Sequence, residues 1–253
     1  MSLGADLQEI LTTFSRRHGG APGSALQIEA ANCWNLRIRL DLPQFPGLCI
    51  RNLRHGDVAA LTRFGAKLGP ESRELFAPYP WDEPAALPVA FQKAIDQATG
   101  RIDASYLMEM AGAGPIAHFF LWKAGGNPHS WRHRLQVPEL GVAVADDCQS
   151  RGLGSLAVRI LEAVACDLGA DAVELTTAMT NKAGWQTYQR CGFEYSGIIR
   201  IPLGVDVTAA VAGEVHASRF RDERQMVYLL KAARRQQVLD YLKLKREAAI
   251  PLT

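Results

Sequence analysis

The sequence contains no apolar stretch near the roughly 18 residues that a membrane-spanning helix requires. Its opening segment, MSLGADLQEILTTFSRRHGG, is amphipathic and has no unbroken apolar core of the signal-peptide type. Both absences argue against a membrane partner and against secretion. We therefore expect a cytoplasmic protein.

The chain also lacks the cysteine spacing of a disulfide framework or a zinc site. It has five cysteines, an odd number, and no two of them form a CxxC pair. Nor does the chain have a large excess of one charge. It contains 28 Lys and Arg residues and 26 Asp and Glu residues, and its formal net charge is +2. We therefore expect no disulfide, no bound metal and no nucleic-acid partner.

What the sequence does contain is an alternation of strand-like and helix-like segments. One predicted strand alternates apolar and polar side chains in the order Leu36, Arg37, Ile38, Arg39, Leu40, Asp41. One predicted helix has apolar residues every three or four positions, at Leu153, Leu156, Ile160, Leu161, Val164 and Leu168. This mixture predicts the α/β class, with helices between strands.

Three parts can be distinguished along the chain. Residues 1–47 contain a helix and strands, and we expect this N-terminal extension to extend the main sheet or to dock on it as a small subdomain. Residues 48–231 are predicted to form the main domain. Residues 232–253 form a basic helical tail with interspersed leucines, which favours a packed helix or a homodimer contact over a nucleic-acid reader.

The segment QSRGLGSL, from Gln149 to Leu156, lies between an apolar strand and an apolar-periodic helix. The first turn of a helix presents unpaired N–H groups and about half a positive charge. Glycine there lets a ligand approach the backbone closely, and Arg151 adds a positive charge. The segment therefore predicts a binding site for a phosphate group.

Two other phosphate-binding motifs do not match this segment. The GxxxxGK[ST] pattern of a P-loop is absent, and Gly152 and Gly154 are followed by Leu156 and Ala157 rather than by the third glycine of GxGxxG. On the glycines alone, a plain strand-to-helix turn is an equally good interpretation.

The longer stretch GVAVADDCQSRGLGSLAVRILEAVACDLGADAVELTTAMTNKAGWQTYQRCGF resembles the GNAT superfamily of acetyl-CoA-dependent N-acetyltransferases. The matching pieces are a strand ending at Val144, the Q-x-x-G-x-G turn at 149–154 with its helix, and a second strand followed by Asn181. Tyr188 then stands four residues before Gly192. Each piece is weak alone, and their order makes the resemblance specific over residues 139–195.

The resemblance implies a mixed, largely antiparallel central sheet flanked by helices, in which two splayed strands form the acyl-CoA cleft. The first of these strands would be bulged and would pair with the pantetheine arm through an exposed edge. Asn181 would bond the pantetheine amides from the other side. The implied cofactor residues on the edge and in the turn are Val142, Ala143, Val144, Gln149, Ser150, Arg151, Gly152, Leu153, Gly154 and Ser155.

The chemistry implied by the resemblance is the direct attack of an amine on acetyl-CoA. A lysine-like amine has a pKa of about 10.4 and must lose a proton, while the departing thiol has a pKa of about 8.5 and is helped by receiving one. Tyr188 is the expected acid, and a backbone N–H near Val144 would hold the oxyanion. Glu139 is the tentative base, with a solvated strand-end carboxylate as the alternative. His118 is a second candidate, or else a bonded structural histidine.

Several positions depart from the usual family pattern. Gly184 stands where alanine is common, Thr187 where a large apolar residue is common, Asp146 where proline is frequent and Cys148 where an aromatic residue is frequent. None of these departures removes a residue that binding or chemistry requires.

The aromatic segment FAPYPW suggests where the acceptor binds. Phe76, Tyr79 and Trp81 could form an aromatic wall for a flat or cationic acceptor. The alternative interpretation is that these side chains cover the edge of the core.

We therefore predict an N-acetyltransferase that uses acetyl-CoA and no metal, with an amine acceptor that the sequence leaves open. One alternative is a non-catalytic acyl-CoA-binding or interaction module on the same fold. Another keeps the chemistry and uses a different acyl-CoA.

Overall fold

The computed structural model describes residues 2–20, 26–202 and 220–249. In these ranges the helices are α1 (Leu3–Arg17), α2 (Val58–Gly65), α3 (Pro70–Leu75), α4 (Leu87–Thr99), α5 (Pro128–Trp131), α6 (Leu153–Asp167), α7 (Lys182–Arg190) and α8 (Arg235–Ala249). The strands are β1 (Leu26–Asn32), β2 (Asn35–Leu42), β3 (Phe45–Asn52), β4 (Ala104–Met110), β5 (Gly114–Trp122), β6 (Glu139–Val144), β7 (Ala172–Ala178), β8 (Glu194–Pro202) and β9 (Phe220–Leu229).

The described strands form one sheet in the order β1-β2-β3-β4-β5-β6-β7-β9-β8. Each neighbouring pair is antiparallel except β6 and β7, which are parallel. The predicted mixed, largely antiparallel sheet flanked by helices is thus confirmed. Strands β1 and β2 hydrogen-bond into this same sheet through β3, so the N-terminal strands extend it.

Helices cover both faces of the sheet. On one face, α1, α6 and α7 pack on a continuous apolar cluster that includes Leu7, Leu161 and Tyr188. On the other face, α2 and α4 cover the β4–β6 region and α8 covers β7 and β9, where it buries Leu242. None of the helices in the described ranges is both long and apolar enough to cross a membrane.

The alternating pattern in β2 produces the burial that the sequence predicts. Leu36, Ile38 and Leu40 are buried, whereas Arg39 points outward. Because successive side chains of a strand point to opposite faces, this register delivers every leucine and isoleucine of the strand to the core. The extension is therefore part of the main apolar core.

Asp57 occupies the N-cap position of α2, where an aspartate side chain commonly bonds the first turn, but its carboxylate makes no capping bond to that helix. It accepts hydrogen bonds from Nη1 of Arg51 at 2.7 Å and from the backbone N–H of Arg54 at 2.9 Å. A buried guanidinium needs an anionic partner, and this need outweighs the preference for capping.

Among the described residues, strands β6 and β7 pair only near their starts. Glu139 is paired with Glu174, and the N–H of Glu174 donates to the carbonyl of Pro138 at 3.0 Å. Beyond this point the two strands share no ladder pair among the described residues, while β5 and β9 pair with their outer edges. The two inner edges therefore diverge toward Val144 and Ala178 and enclose a cleft, which is open at that end and closed at Glu139.

Candidate active site

One edge of the cleft is the side of β6 that does not pair with β5. Val142, Ala143 and Val144 pair with β5 on one side and have no strand partner on the other among the residues that the structure describes. The predicted bulge is absent, because the pairing of β6 with β5 runs from Glu139 to Val144 without a register shift. Strand β6 is therefore regular along β5, and the cleft forms because the pairing of β6 with β7 stops after Glu139.

The turn from 149 to 155 opens the cleft at its wide end. Ser150 and Gly152 adopt left-handed backbone conformations, with φ of 58° and 82°. Helix α6 starts directly afterwards at Leu153 and has no side-chain cap. In the described part of the chain, the backbone N–H groups of residues 150–155 donate to no acceptor. Such a set of unbonded donors at a helix start is suited to bind an anion.

The residues of this turn differ in what they present to a ligand. A Cβ on Gly154 would meet nothing within 4 Å, so that side of the backbone is open. The Leu153 side chain is buried in the core and offers a ligand only its backbone. The side chain of Ser155 is half-buried and lies near the thiol of Cys191.

Two side chains tie the turn to α3. The amide nitrogen of Gln149 donates to Oγ of Ser72 and to the carbonyl of Val144, both at 3.1 Å. Asp146 accepts a hydrogen bond from the backbone N–H of Gly69 at 2.9 Å. The carboxylate that departs from the family pattern at 146 therefore has a structural use.

Arg151 lies beside the turn, but its guanidinium is already engaged. It donates to the carbonyl of Gln44 and stacks on the ring of Phe45, with 4.6 Å from Cζ to the ring centroid. Its positive charge is thus held against the N-terminal strands.

Asn181 follows β7, the other strand that borders the cleft, and caps α7. Its Oδ1 accepts from the N–H of Gly184 at 2.9 Å, and its Nδ2 donates to Oγ1 of Thr177 at 3.0 Å. A Cβ on residue 184 would lie 2.5 Å from that Nδ2. Glycine at 184 therefore lets the cap approach the helix closely, which explains the departure from alanine.

Tyr188 lies in α7 and is 9% exposed. Its ring packs against Phe193 with 5.9 Å between centroids. The phenol hydroxyl forms no hydrogen bond with any residue that the structure describes. Burial, together with the nearby Cys191 and Glu223, raises the pKa of Tyr188 to about 12. The phenol is therefore protonated at neutral pH and has a proton to donate.

Glu139 lies at the closed end of the cleft and is bound by cations. Its carboxylate pairs with Nζ of Lys245 from α8 and lies 3.8 Å from Nζ of Lys123. Burial alone would raise the pKa of Glu139, but the charges of Lys245 and Lys123 outweigh it and hold this pKa below its usual value. Glu139 is therefore neither a freely solvated carboxylate nor a strong base.

The Lys245 ammonium also binds a second carboxylate. Its Nζ lies 3.0 Å from Oε1 of Glu174, whose other oxygen accepts from Nε2 of Gln225 at 3.2 Å. Burial raises the pKa of Glu174, although Lys245 opposes this change. Sequence reasoning missed this cluster, because the pairing depends on a helix 71 positions later in the chain.

The three predicted acceptor aromatics pack as part of the core. Phe76 and Tyr79 are each 8% exposed and belong with Trp81 to the apolar cluster under α2 and α4. They contact one another and the ring of Phe91, in edge-on arrangements. This packing agrees with the alternative that they cover the core edge, and it leaves little aromatic surface for an acceptor.

His118 is a bonded, buried histidine. Its Nε2 lies 2.9 Å from Oγ of Ser105, and its Nδ1 lies 3.4 Å from the hydroxyl of Tyr79. Burial lowers the pKa of His118 to about 3. The imidazole is therefore neutral and holds the sheet to the aromatic cluster.

One further ion pair reaches over the wide end of the cleft. Glu223 on β9 is buried and accepts from Nε of Arg221 at 2.9 Å, and Nη1 of Arg221 donates to the carbonyl of Glu74 at 3.0 Å. The bond joins β9 to α3, which lie on opposite sides of the β6–β7 cleft. The alternation of β9 could have indicated the buried position of Glu223, but its partner on α3 leaves no local signal.

Comparison with protein families finds a match in the central part of the chain. A model described as the acetyltransferase (GNAT) family matches residues 74–193. The match includes β6, the turn, α6, β7 and α7. No curated protein matches the chain significantly.

Solved structures share the fold at low sequence identity. A chimera of the Vibrio cholerae spermidine N-acetyltransferase SpeG and hSSAT is 19% identical, with a TM-score of 0.51 over 77% of this chain and 98% of that one. The V. cholerae spermidine N-acetyltransferase in complex with CoA and spermine is 19% identical, with a TM-score of 0.50 over 72% and 95%. The ribosomal-protein-S5-alanine acetyltransferase from Vibrio fischeri is 11% identical, with a TM-score of 0.54 over 72% and 92%.

Proposed function

Because residues 74–193 belong to the acetyltransferase (GNAT) family, we propose that this protein is an N-acetyltransferase that moves the acetyl group of acetyl-CoA to a primary amine. The observation that carries the proposal is the cleft between β6 and β7. Its inner edges are unpaired beyond Glu139 and Glu174, and it opens beside a turn whose N–H groups are unbonded. A fold does not determine a function, so the argument depends on these groups.

The residues of the cleft fit the parts of coenzyme A. The N–H groups of residues 150–155 suit the diphosphate, and the open side of Gly154 allows its approach. The free edges at Val142–Val144 suit the two amides of the pantetheine arm, which pair as an added strand would. The cosubstrate supplies a thioester whose carbonyl carbon an amine can attack.

Asn181 has two proposed roles. Its cap fixes the start of α7, and with it the position of Tyr188 two turns later. Its Oδ1 already accepts one hydrogen bond, from Gly184. A carbonyl oxygen has two lone pairs, so a second remains for an amide N–H of the pantetheine arm.

Tyr188 is proposed as the general acid. A thiolate is a better leaving group when it receives a proton, because the pKa of a thiol is about 8.5. The Tyr188 hydroxyl has no hydrogen-bond partner in the described part of the chain, and burial keeps it protonated by raising its pKa to about 12. These two properties are what proton donation to the departing sulfur requires.

Glu139 is proposed to act on the acceptor through water. The acceptor amine must lose a proton before it attacks. A carboxylate whose pKa is held low by Lys245 is a weak base, so its proposed role is to orient a water that passes the proton of the amine on to solvent. A backbone N–H of β6 near Val144 is proposed to stabilise the oxyanion.

A thiol-release assay tests the proposal. Acetyl-CoA is incubated with the protein and a panel of amines: polyamines, amino sugars, lysine peptides and peptides with free N-termini. Thiol release that depends on one amine class, with the N-acetyl product identified by mass, supports the proposal. Binding of acetyl-CoA without release in any arm would favour the non-catalytic module, and absence of binding would contradict both.

A further inference from the structure

The N-terminal extension reaches the turn that opens the cleft, although it lies outside the matched family region. Helix α1 packs along α6, and His18 is the C-cap residue that follows it. The connection between β2 and β3 brings Gln44 to the same place. Both segments lie next to Arg151 and Gly152 of the turn.

The His18 ring is held in a defined position. Its Nδ1 lies 3.0 Å from Oε1 of Gln44. The ring centroid is 4.3 Å from that of Phe14 and 5.2 Å from that of Phe45. Packing on two sides and one hydrogen bond therefore restrict the imidazole to one orientation.

This orientation directs the other ring nitrogen toward the turn. A Cβ built on Gly152 would lie 3.2 Å from Nε2 of His18. Within the described ranges Nε2 forms no hydrogen bond, whereas Nδ1 does. His18 is half-buried, and its unpartnered Nε2 thus stands beside Gly152, one of the residues of the turn whose N–H groups are unbonded.

We propose that His18 is a ligand of the coenzyme A diphosphate, so that the N-terminal extension completes the cofactor site. The inference rests on the proposed function, because it takes the turn as the diphosphate site. An Nε2–H donates to a phosphate oxygen in the same way as the backbone N–H groups do. The bond to Gln44 is compatible with this state, since Nδ1 donates in the imidazolium and accepts from the flipped amide in the neutral ring.

The neighbouring contacts of the extension support a shared site. The carbonyl of Gln44 accepts from Arg151, and Phe45 carries the Arg151 guanidinium on its face. The same two residues therefore hold His18 and Arg151 on one side of the turn. An unpartnered ring nitrogen and a positive charge are thus brought together by a segment in which the sequence shows no motif.

Calorimetric titration tests this inference with coenzyme A and with its 3′-dephospho form. The variants are His18→Phe, which keeps a ring between Phe14 and Phe45, and His18→Asn. His55→Asn is the matched control, because His55 is an exposed histidine outside the turn. Loss of one hydrogen bond to a charged group weakens binding roughly tenfold or more. We expect this loss for both His18 variants and both ligands, with the melting temperature and the control unchanged.

The outcomes separate this inference from the proposed function. Wild-type affinity in both His18 variants would overturn the role of His18 and leave the enzyme proposal intact. A loss confined to coenzyme A and absent with the dephospho form would also overturn it, because the contact would then be with the 3′-phosphate. Failure of the wild-type protein to bind either ligand would overturn the proposed function itself.

Discussion

The two ends of the cleft between β6 and β7 differ in whether their polar groups have hydrogen-bond partners within the protein. At the closed end, Glu139 and Glu174 share the ammonium of Lys245, and Gln225 bonds the remaining oxygen of Glu174. At the open end, the N–H groups of residues 150–155 and the Tyr188 hydroxyl have no partner among the described residues. The polar groups at one end of the cleft thus have their hydrogen-bond partners within the protein, whereas those at the other end do not.

The difference indicates what each end contributes. A buried charge without a partner is strongly destabilising, so the closed end holds the sheet and α8 together only when it is complete. Backbone donors that face solvent bond water until a ligand replaces it, so they lack the destabilising effect of buried unpaired groups. We therefore assign stability to the closed end and coenzyme A binding to the open end. Variants at each end should change only one of these properties.

The largest expected effect is on turnover at the open end. Tyr188→Phe removes only the hydroxyl, which has no internal hydrogen bond to lose. We expect kcat to fall by ~10²–10⁴-fold, the range for loss of a general acid, with coenzyme A affinity and melting temperature nearly unchanged. Steady-state kinetics with the acceptor found in the amine panel measures this. An unchanged kcat would mean that the thiolate leaves without help from Tyr188.

The next effect is on stability at the closed end. Lys245→Met leaves Glu139 and Glu174 adjacent without their shared cation. We expect a loss of about 3 kcal/mol in the free energy of unfolding, the lower limit for breaking a buried pair, because the Lys245 side chain is 27% exposed. Coenzyme A affinity of the folded protein should not change.

Lys243→Met is the control for this loss. Lys243 pairs with Glu247 on the exposed side of the same helix, and both side chains are more than half exposed. Such a pair contributes about 0.5 kcal/mol or less. Equal losses in the two variants, measured by urea denaturation, would show that the closed end has no special role.

A smaller effect is expected at the cap of α7. Replacing glycine by alanine inside a helix usually adds about 1 kcal/mol of stability. In Gly184→Ala the new Cβ displaces the Asn181 amide and costs a cap of about the same size, so we expect almost no net change. In an Asn181→Ala background the cap is already lost, and Gly184→Ala should stabilise by about 1 kcal/mol. The same gain in both backgrounds would contradict the close contact.

The smallest expected effect concerns pH. An acid loses its function as pH rises through its pKa, and burial moves the pKa of Tyr188 up to about 12. The plot of kcat against pH should therefore show no loss of the acid near pH 10, where an unperturbed tyrosine with a pKa of about 10 would titrate. A decline of kcat centred there that is absent in Tyr188→Phe would show an ordinary, solvated phenol.

Periodicity predicts most of the fold and part of the site. The strand pattern of β2 and the helical pattern of α6 depend on neighbours two to four residues away, which a sequence displays directly. The turn at 149–155 follows from glycines between two such elements. The absence of a bulge in β6 could not be predicted from the local pattern. The divergence of β6 from β7 depends on where the pairing between these two strands stops.

Long-range partners account for the features that the sequence could not predict. The Asp57 carboxylate bonds Arg51 instead of capping α2, and Glu139 pairs with Lys245, which lies 106 positions away. Phe76 and Tyr79 have the composition of an aromatic wall, but α2 and α4 pack over them. His18 has no motif around it and reaches the turn only through the packing of α1 on α6. Each outcome depends on tertiary contacts that local residue patterns do not encode.

The central claim is that the open end of the cleft binds coenzyme A through the turn. Calorimetry of wild type and Gly154→Val with coenzyme A tests it most directly, because a side chain at 154 would project into space that the protein leaves empty. The account predicts binding by wild type and a large loss of affinity in the variant, with little change in melting temperature. Wild-type affinity in Gly154→Val would contradict the claim.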